Sequence, residues 1–208
     1  MLLYLSTNTR PDISYAVSQV SRFSHNPKKS HASAVKTIIR YLSGSIDQGV
    51  INKRPKNLCL DCYVDADFAG LYGRDPPESP TCVKSRTGYI ISVGGCYLLC
   101  RSQLQITIPL RTSEAEYGAL IQAMRAVIPT RETLLELIKA VGMVDAHGRY
   151  PFGDKNKLCS FPTIADEDNF AALSLAVNQK VTSRLSIGVL NSTSFDLMST
   201  TRTTTQAV

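Results

Sequence analysis

The sequence Tyr63-Val64-Asp65-Ala66-Asp67 lies at the end of a run that begins at Leu58 and has the period of a β-strand. The run changes there from apolar to polar, which is typical of a strand end. A carboxylate at a strand end can point into a cleft at the edge of the sheet. We therefore predict a central strand over residues 58–65, with Asp65 at its end.

Two further strands are predicted over residues 88–93 and 96–108, with Gly94-Gly95 as a tight hairpin connection between them. The proline-rich loop at 73–80 cannot join a central sheet. Helices are predicted at 113–127, with an interruption at Pro129 and a continuation over 130–141, and at 169–178 after a short strand at 163–167. This order predicts an α/β fold with a mixed sheet flanked by helices.

The N-terminal part reads as a small two-helix segment. One helix follows Pro11, Asn26-Pro27 breaks the chain, and a second helix spans about 28–42. Residues 1–57 hold nine Lys or Arg against two Asp, which gives a local charge of +7. Such a surface attracts nucleic acid in a salt-dependent way, although a solvated surface accounts for the charge equally well.

Composition narrows the class of protein. The chain has 208 residues, of which 43% are hydrophobic, so it can bury a sizeable core. It shows neither an apolar stretch of the roughly 20 residues that span a bilayer nor a signal peptide. We expect an intracellular protein, cytoplasmic or nuclear, with no membrane partner.

The cysteine pairs Cys59/Cys62 and Cys96/Cys100 have zinc-like spacing, but they lie in strand-like runs, so buried free thiols are favoured.

Three acidic patches could carry chemistry: Asp65, Glu116 in residues 112–117, and Asp168 in residues 166–169. Hard cations such as Mg²⁺ need carboxylate oxygens that converge from separate elements. Each patch also has a purely structural interpretation. Ser113 and Glu116 have the spacing of a capping box, Asp65 could form a turn, and Asp168-Asn169 could cap the helix that follows.

The order and spacing of the motifs resemble the C-terminal end of the copia-type retrotransposon polyprotein. The matching segments, which together extend over residues 1–188, are Thr9-Arg10-Pro11-Asp12-Ile13, Arg40-Tyr41-Leu42-Ser43-Gly44, Asp65-Ala66-Asp67-Phe68-Ala69-Gly70, Ser85-Arg86-Thr87-Gly88-Tyr89, Ser113-Glu114-Ala115-Glu116-Tyr117 and Glu167-Asp168-Asn169.

The resemblance implies that residues 1–50 are the end of a reverse transcriptase region and that 58–190 form an RNase H-like domain. We expect 51–57 to be a linker and the Ser/Thr-rich residues 191–208 to be a disordered tail. The polymerase's own Asp-Asp motif would lie upstream, so no DNA synthesis is expected.

The same resemblance implies a catalytic metal site formed by Asp65, Glu116 and Asp168, which would hold Mg²⁺, with Mn²⁺ as the alternative ion. Asp67, Glu114 and Glu167 are acidic neighbours of these residues, and the resemblance assigns them no role of their own. The implied activity is cleavage of the RNA strand of an RNA/DNA hybrid.

One departure from the family weakens the expectation of activity. The family's fourth acidic site follows an Arg-x-Lys-His-Ile-Asp pattern, whereas this chain reads Ser183-Arg184-Leu185-Ser186-Ile187-Gly188. A catalytically inactive nucleic-acid-binding remnant and a decayed retroelement fragment therefore remain as alternatives.

Overall fold

A computed structural model describes residues 1–53, 59–142 and 163–178. This part of the chain contains a 3-10 helix (Pro11–Ile13), five α-helices and four strands: α1 (Leu2–Asn8), α2 (Ser14–Ser21), α3 (Lys29–Ser43), β1 (Leu60–Asp67), β2 (Arg86–Val93), β3 (Cys96–Leu104), α4 (Thr112–Ala140), β4 (Thr163–Asp166) and α5 (Phe170–Asn178). The strands form one mixed sheet in the order β3-β2-β1-β4.

Strands β1, β2 and β3 pair antiparallel, and β4 lies parallel to β1 on its other side. A mixed four-stranded sheet with helices packed against it confirms the predicted α/β class and fits an RNase H-like fold. Observed strand ends differ from the predicted ones by a few residues. The largest difference is in β3, which ends at Leu104 rather than at 108.

The two faces of the sheet have different roles. Leu60, Cys62 and Val64 on β1 face the core, where they pack with Leu120 and Val127 of α4. The opposite side, called the outer face below, is formed on β1 by the alternate residues 61, 63, 65 and 67 and by their partners in register on β2 and β3. This alternation follows from the period of two in a strand.

The prediction of an interruption at Pro129 is wrong, because α4 runs through it for 29 residues. Proline removes one backbone donor and strains the preceding turn. Packing compensates for this loss, since Leu134, Leu135 and Ile138 beyond the proline join the same core. Helix α4 therefore continues past Pro129, because the residues beyond it bury an apolar face.

The N-terminal segment contains one helix more than predicted, namely α1, and Pro11 begins a short 3-10 turn rather than an α-helix. Its own core consists of Ile13, Val17 and Ile38. Helix α2 also contacts β3, and Arg22 at its end forms an ion pair with Asp75. Within the described ranges, no helix is both long enough and apolar enough to cross a membrane.

Candidate metal centre

Glu116 lies in α4, where the helix passes the end of β1. Its side chain is buried, and the backbone N–H of Ala66 donates a hydrogen bond to its carboxylate. The other oxygen, Oε2, is buried without a hydrogen-bond partner. The capping-box interpretation is wrong, because the helix start has no side-chain cap and Glu114, not Glu116, accepts a hydrogen bond from the Leu110 N–H at 2.8 Å.

Glu167 follows β4 directly and is only 1% exposed. Its Oε1 accepts a hydrogen bond from the Asn169 N–H at 3.2 Å, whereas its Oε2 is buried without a partner. Asn169 caps α5, since its Oδ1 accepts the Ala172 N–H at 3.0 Å. The capping role that the sequence left open for Asp168-Asn169 therefore belongs to Asn169.

Three carboxylates converge at this edge of the sheet. One oxygen each from Glu116, Glu167 and Asp168 lie within 4.8 Å of one another. Glu116 comes from the helix, whereas the other two are neighbours at the end of β4. The structure thus brings together two of the three predicted site residues, and it adds Glu167.

Asp65 is outside this group of three but close to it. The parallel pairing between β1 and β4 ends at Tyr63 and Asp166, and Asp65 and Asp168 each follow this last pair by two residues. Both side chains are exposed. The charge of Asp65 also acts on Glu116 and Glu167, which places it at the border of the same cluster.

The electrostatics of the cluster disfavour four negative charges. Burial, followed by the charges of Glu167, Asp65 and Asp168, raises the pKa of Glu116 to about 8. Burial, with smaller effects of Asp168 and Asp65, raises the pKa of Glu167 to about 7. In the described ranges the ion pairs are Arg10–Asp12 and Arg22–Asp75, so neither neutralises this cluster.

This donor set fits a hard divalent cation. Such ions bind several carboxylate oxygens that come from separate elements. Glu116 and Glu167 each offer a buried oxygen that lacks a hydrogen-bond partner, and buried polar atoms of that kind are rare in folded proteins. The predicted ligand chemistry is therefore compatible with the geometry.

The other residues that the sequence singled out are not part of the Glu116, Glu167 and Asp168 cluster. The Asp67 carboxylate lies against Gly70, where an added Cβ would come within 1.9 Å of its Oδ2. No cysteine belongs to the metal-type cluster found among the described residues, and the five described cysteines are free thiols. Residues 183–188, at the family's fourth acidic site, and the tail at 191–208 lie outside the described residues.

The sequence predicts Glu167 only as a neighbour of the site, whereas the structure groups it with Glu116 and Asp168. The signal that could have identified it as a candidate ligand is the alternation of Thr163, Ala165 and Glu167, which all lie on the buried side of β4. A glutamate on the core side of a strand needs a partner or an ion.

Comparison with known proteins relates the chain to retroelements. It is 38% identical over 136 residues to the retrovirus-related Pol polyprotein from transposon TNT 1-94 of Nicotiana tabacum, a match that covers 65% of this chain and 10% of that protein. It is 39% identical over 112 residues to the Pol polyprotein from transposon RE1 of Arabidopsis thaliana, covering 54% of this chain and 7% of that protein.

A shorter relative is matched over most of its length. The secreted RxLR effector protein 161 of Plasmopara viticola is 34% identical over 127 residues, which cover 61% of this chain and 84% of that protein. No protein-family model and no solved structure matches the chain. The similarity to the polyproteins concerns a tenth or less of their length.

Proposed function

The chain belongs to the family of copia-type retrotransposon Pol polyproteins, and on that premise we propose that its sheet carries an RNase H-type endonuclease site. The substrate would be the RNA strand of an RNA/DNA hybrid. The convergence of Glu116, Glu167 and Asp168 within 4.8 Å is the observation that supports this proposal most directly.

In this proposal the three carboxylates and Asp65 hold Mg²⁺, with Mn²⁺ as a substitute. When bound, the ion supplies the Lewis acidity that phosphodiester hydrolysis requires. The protein contributes fixed ligand positions: Ala66 orients Glu116 and Asn169 orients Glu167 through their backbone N–H groups. Discrimination of RNA from DNA would come from contacts to 2′-hydroxyls across the wide minor groove of the hybrid.

The test is Mg²⁺-dependent cleavage of a labelled RNA/DNA hybrid. Asp65→Asn and Glu116→Gln should each reduce the cleavage rate by about 100-fold or more, because each removes a ligand charge. Glu132→Gln is the matched control, since Glu132 is exposed on the same helix. The proposal is wrong if the wild-type protein cuts the hybrid no better than Asp65→Asn.

A second candidate function is nucleic-acid binding without turnover. It is favoured by the local charge of +7 over residues 1–57 and by the exposed side chains of Lys29, Lys36 and Arg40 on α3. Salt-sensitive binding of the hybrid without cleavage would distinguish it from the nuclease. In either case we propose that an upstream reverse transcriptase region is the natural partner of the N-terminal helices.

A further inference from the structure

A crevice of about 310 Å³ lies between the N-terminal helices and the outer face of the sheet. Tyr15 at the start of α2 lines one side of it, and Tyr63 of β1 lines another. Both rings are about half exposed, at 47% and 54%. Asp65 also lines the crevice, so the crevice and the proposed metal centre share this residue.

Gly88 opens the floor of this crevice. It lies in the middle of β2, in register between Asp65 on β1 and Ser102 on β3. A Cβ added to it would find its nearest neighbour, the backbone oxygen of Asp65, 3.9 Å away. A glycine inside a strand weakens the sheet and often marks a place where a ligand approaches closely.

A buried arginine fixes the side of the crevice that is lined by Tyr15. Arg86 is 5% exposed, and its guanidinium lies 5.2 Å from the centre of the Tyr15 ring. Its Nη1 donates to the Ser18 hydroxyl at 2.6 Å, while its Nη2 is buried without a hydrogen-bond partner. A charge buried in this way fixes α2, and hence the tyrosine, against the sheet.

We propose that the crevice binds an unpaired nucleobase of a single-stranded segment that lies next to the cleavage site. Flat bases stack on aromatic side chains whatever their sequence, which matches two half-exposed tyrosines in a crevice that has no side chain at the Gly88 position. Tyr63 and Asp65 are two residues apart on one face, roughly 7 Å, so the bound nucleotide is close to the phosphate at the metal centre. The inference rests on the proposed nuclease function and adds to it a preference for substrates with a single-stranded segment.

The first test fills the crevice without damaging the fold. Gly88 does not have a positive φ, and Val is well suited to a strand, so Gly88→Val should preserve or raise the melting temperature. Binding of a labelled oligothymidylate, measured by fluorescence anisotropy in EDTA, should weaken about 5- to 100-fold in this variant. Tyr72→Ala is the control, because Tyr72 is exposed and does not line the crevice, and it should bind like wild type.

The second test needs no variant. Wild-type protein should bind oligothymidylate or oligouridylate more tightly than an abasic deoxyribose-phosphate strand of equal length, since only the former can stack. Whichever of oligothymidylate and oligouridylate binds with the higher affinity identifies the preferred single strand as DNA or RNA. Equal affinity for the abasic strand, or unchanged binding by a folded Gly88→Val protein, would overturn the inference.

These tests are separable from the nuclease assay. If the protein does not cleave the hybrid but Gly88→Val weakens its oligonucleotide binding, the proposed hydrolysis is contradicted and the proposed base site is supported. If the protein cleaves the hybrid but Gly88→Val leaves its oligonucleotide binding unchanged, the proposed nuclease is supported and the proposed base site is excluded.

Discussion

The Glu116 carboxyl group makes stability depend on pH. Folding raises its pKa from 4.5 to about 8, so the folded state holds this proton more tightly than the unfolded state. The raised pKa of Glu167, about 7, acts in the same direction. In EDTA, the free energy of unfolding should therefore fall as the pH rises from about 4.5 to 8. Urea unfolding at pH 5 and pH 8 measures this change.

Glu116→Gln removes the group with the larger shift while keeping its shape. At pH 8 without divalent ions we expect the variant to be more stable than wild type by on the order of 2 kcal/mol, because the charge no longer has to be buried among Asp65, Glu167 and Asp168. At pH 5 the difference should nearly vanish. A constant difference at both pH values would contradict the electrostatic origin.

Glu167 gives a separate prediction about metal binding. If it is a ligand, millimolar Mg²⁺ should raise the melting temperature of the wild-type protein by a few degrees, since an ion that binds only the folded state stabilises it. Glu167→Gln should reduce this rise by at least about half. Glu136→Gln, at an exposed position of α4, is the control. An undiminished Mg²⁺ effect in Glu167→Gln would exclude Glu167 as a ligand.

Single residues show how far sequence alone could reach. Asp65, Glu116 and Asp168 were identifiable because each stands where an apolar run turns polar and belongs to a motif. For Glu167 the sequence offers only the alternation with Thr163 and Ala165, and for Gly88 it offers no signal, because the burial of the first and the open space around the second depend on which strands pair and in what register. Register is a property of the assembled sheet.

Helix α4 provides a prediction at the level of one element. Pro129 is exposed inside the helix and denies it one backbone hydrogen bond. Pro129→Ala should raise the free energy of unfolding by about 1–3 kcal/mol in urea denaturation. Glu132→Ala, one turn further along, should change it by less than about 0.5 kcal/mol. No gain in Pro129→Ala would mean that the helix is already relaxed around the proline.

The elements that sequence missed depend on tertiary contacts. Helix α1 has only seven residues, too few to be stable alone, and it forms where Leu2 and Leu5 pack against the Ile13–Val17–Ile38 cluster. The continuation of α4 beyond Pro129 has the same cause. By contrast, β1, β2 and α3 could be predicted within about two residues because their own periodicity matches the surface that they bury.

At the scale of the molecule, the excess positive charge and the carboxylate cluster lie in different parts of the chain. The N-terminal helices carry the excess of positive charge, whereas the carboxylates lie at the far edge of the sheet from β3. Helix α2 joins the two parts through Arg22–Asp75 and Arg86–Ser18. We propose that a nucleic acid bound at the carboxylates passes over the crevice and is held by the exposed basic side chains of α3.

That path predicts a specific salt dependence. Each Lys that contacts a phosphate contributes about one unit to the slope of log Kobs against log salt concentration. Lys29→Gln and Lys36→Gln, both on the exposed surface of α3, should each lower the slope for hybrid binding by about 1. Lys139→Gln removes the same charge at the exposed end of α4 and should leave the slope unchanged. If all three variants lower the slope equally, the N-terminal helices attract nucleic acid only through the net charge of the protein, and α3 is not on the binding path.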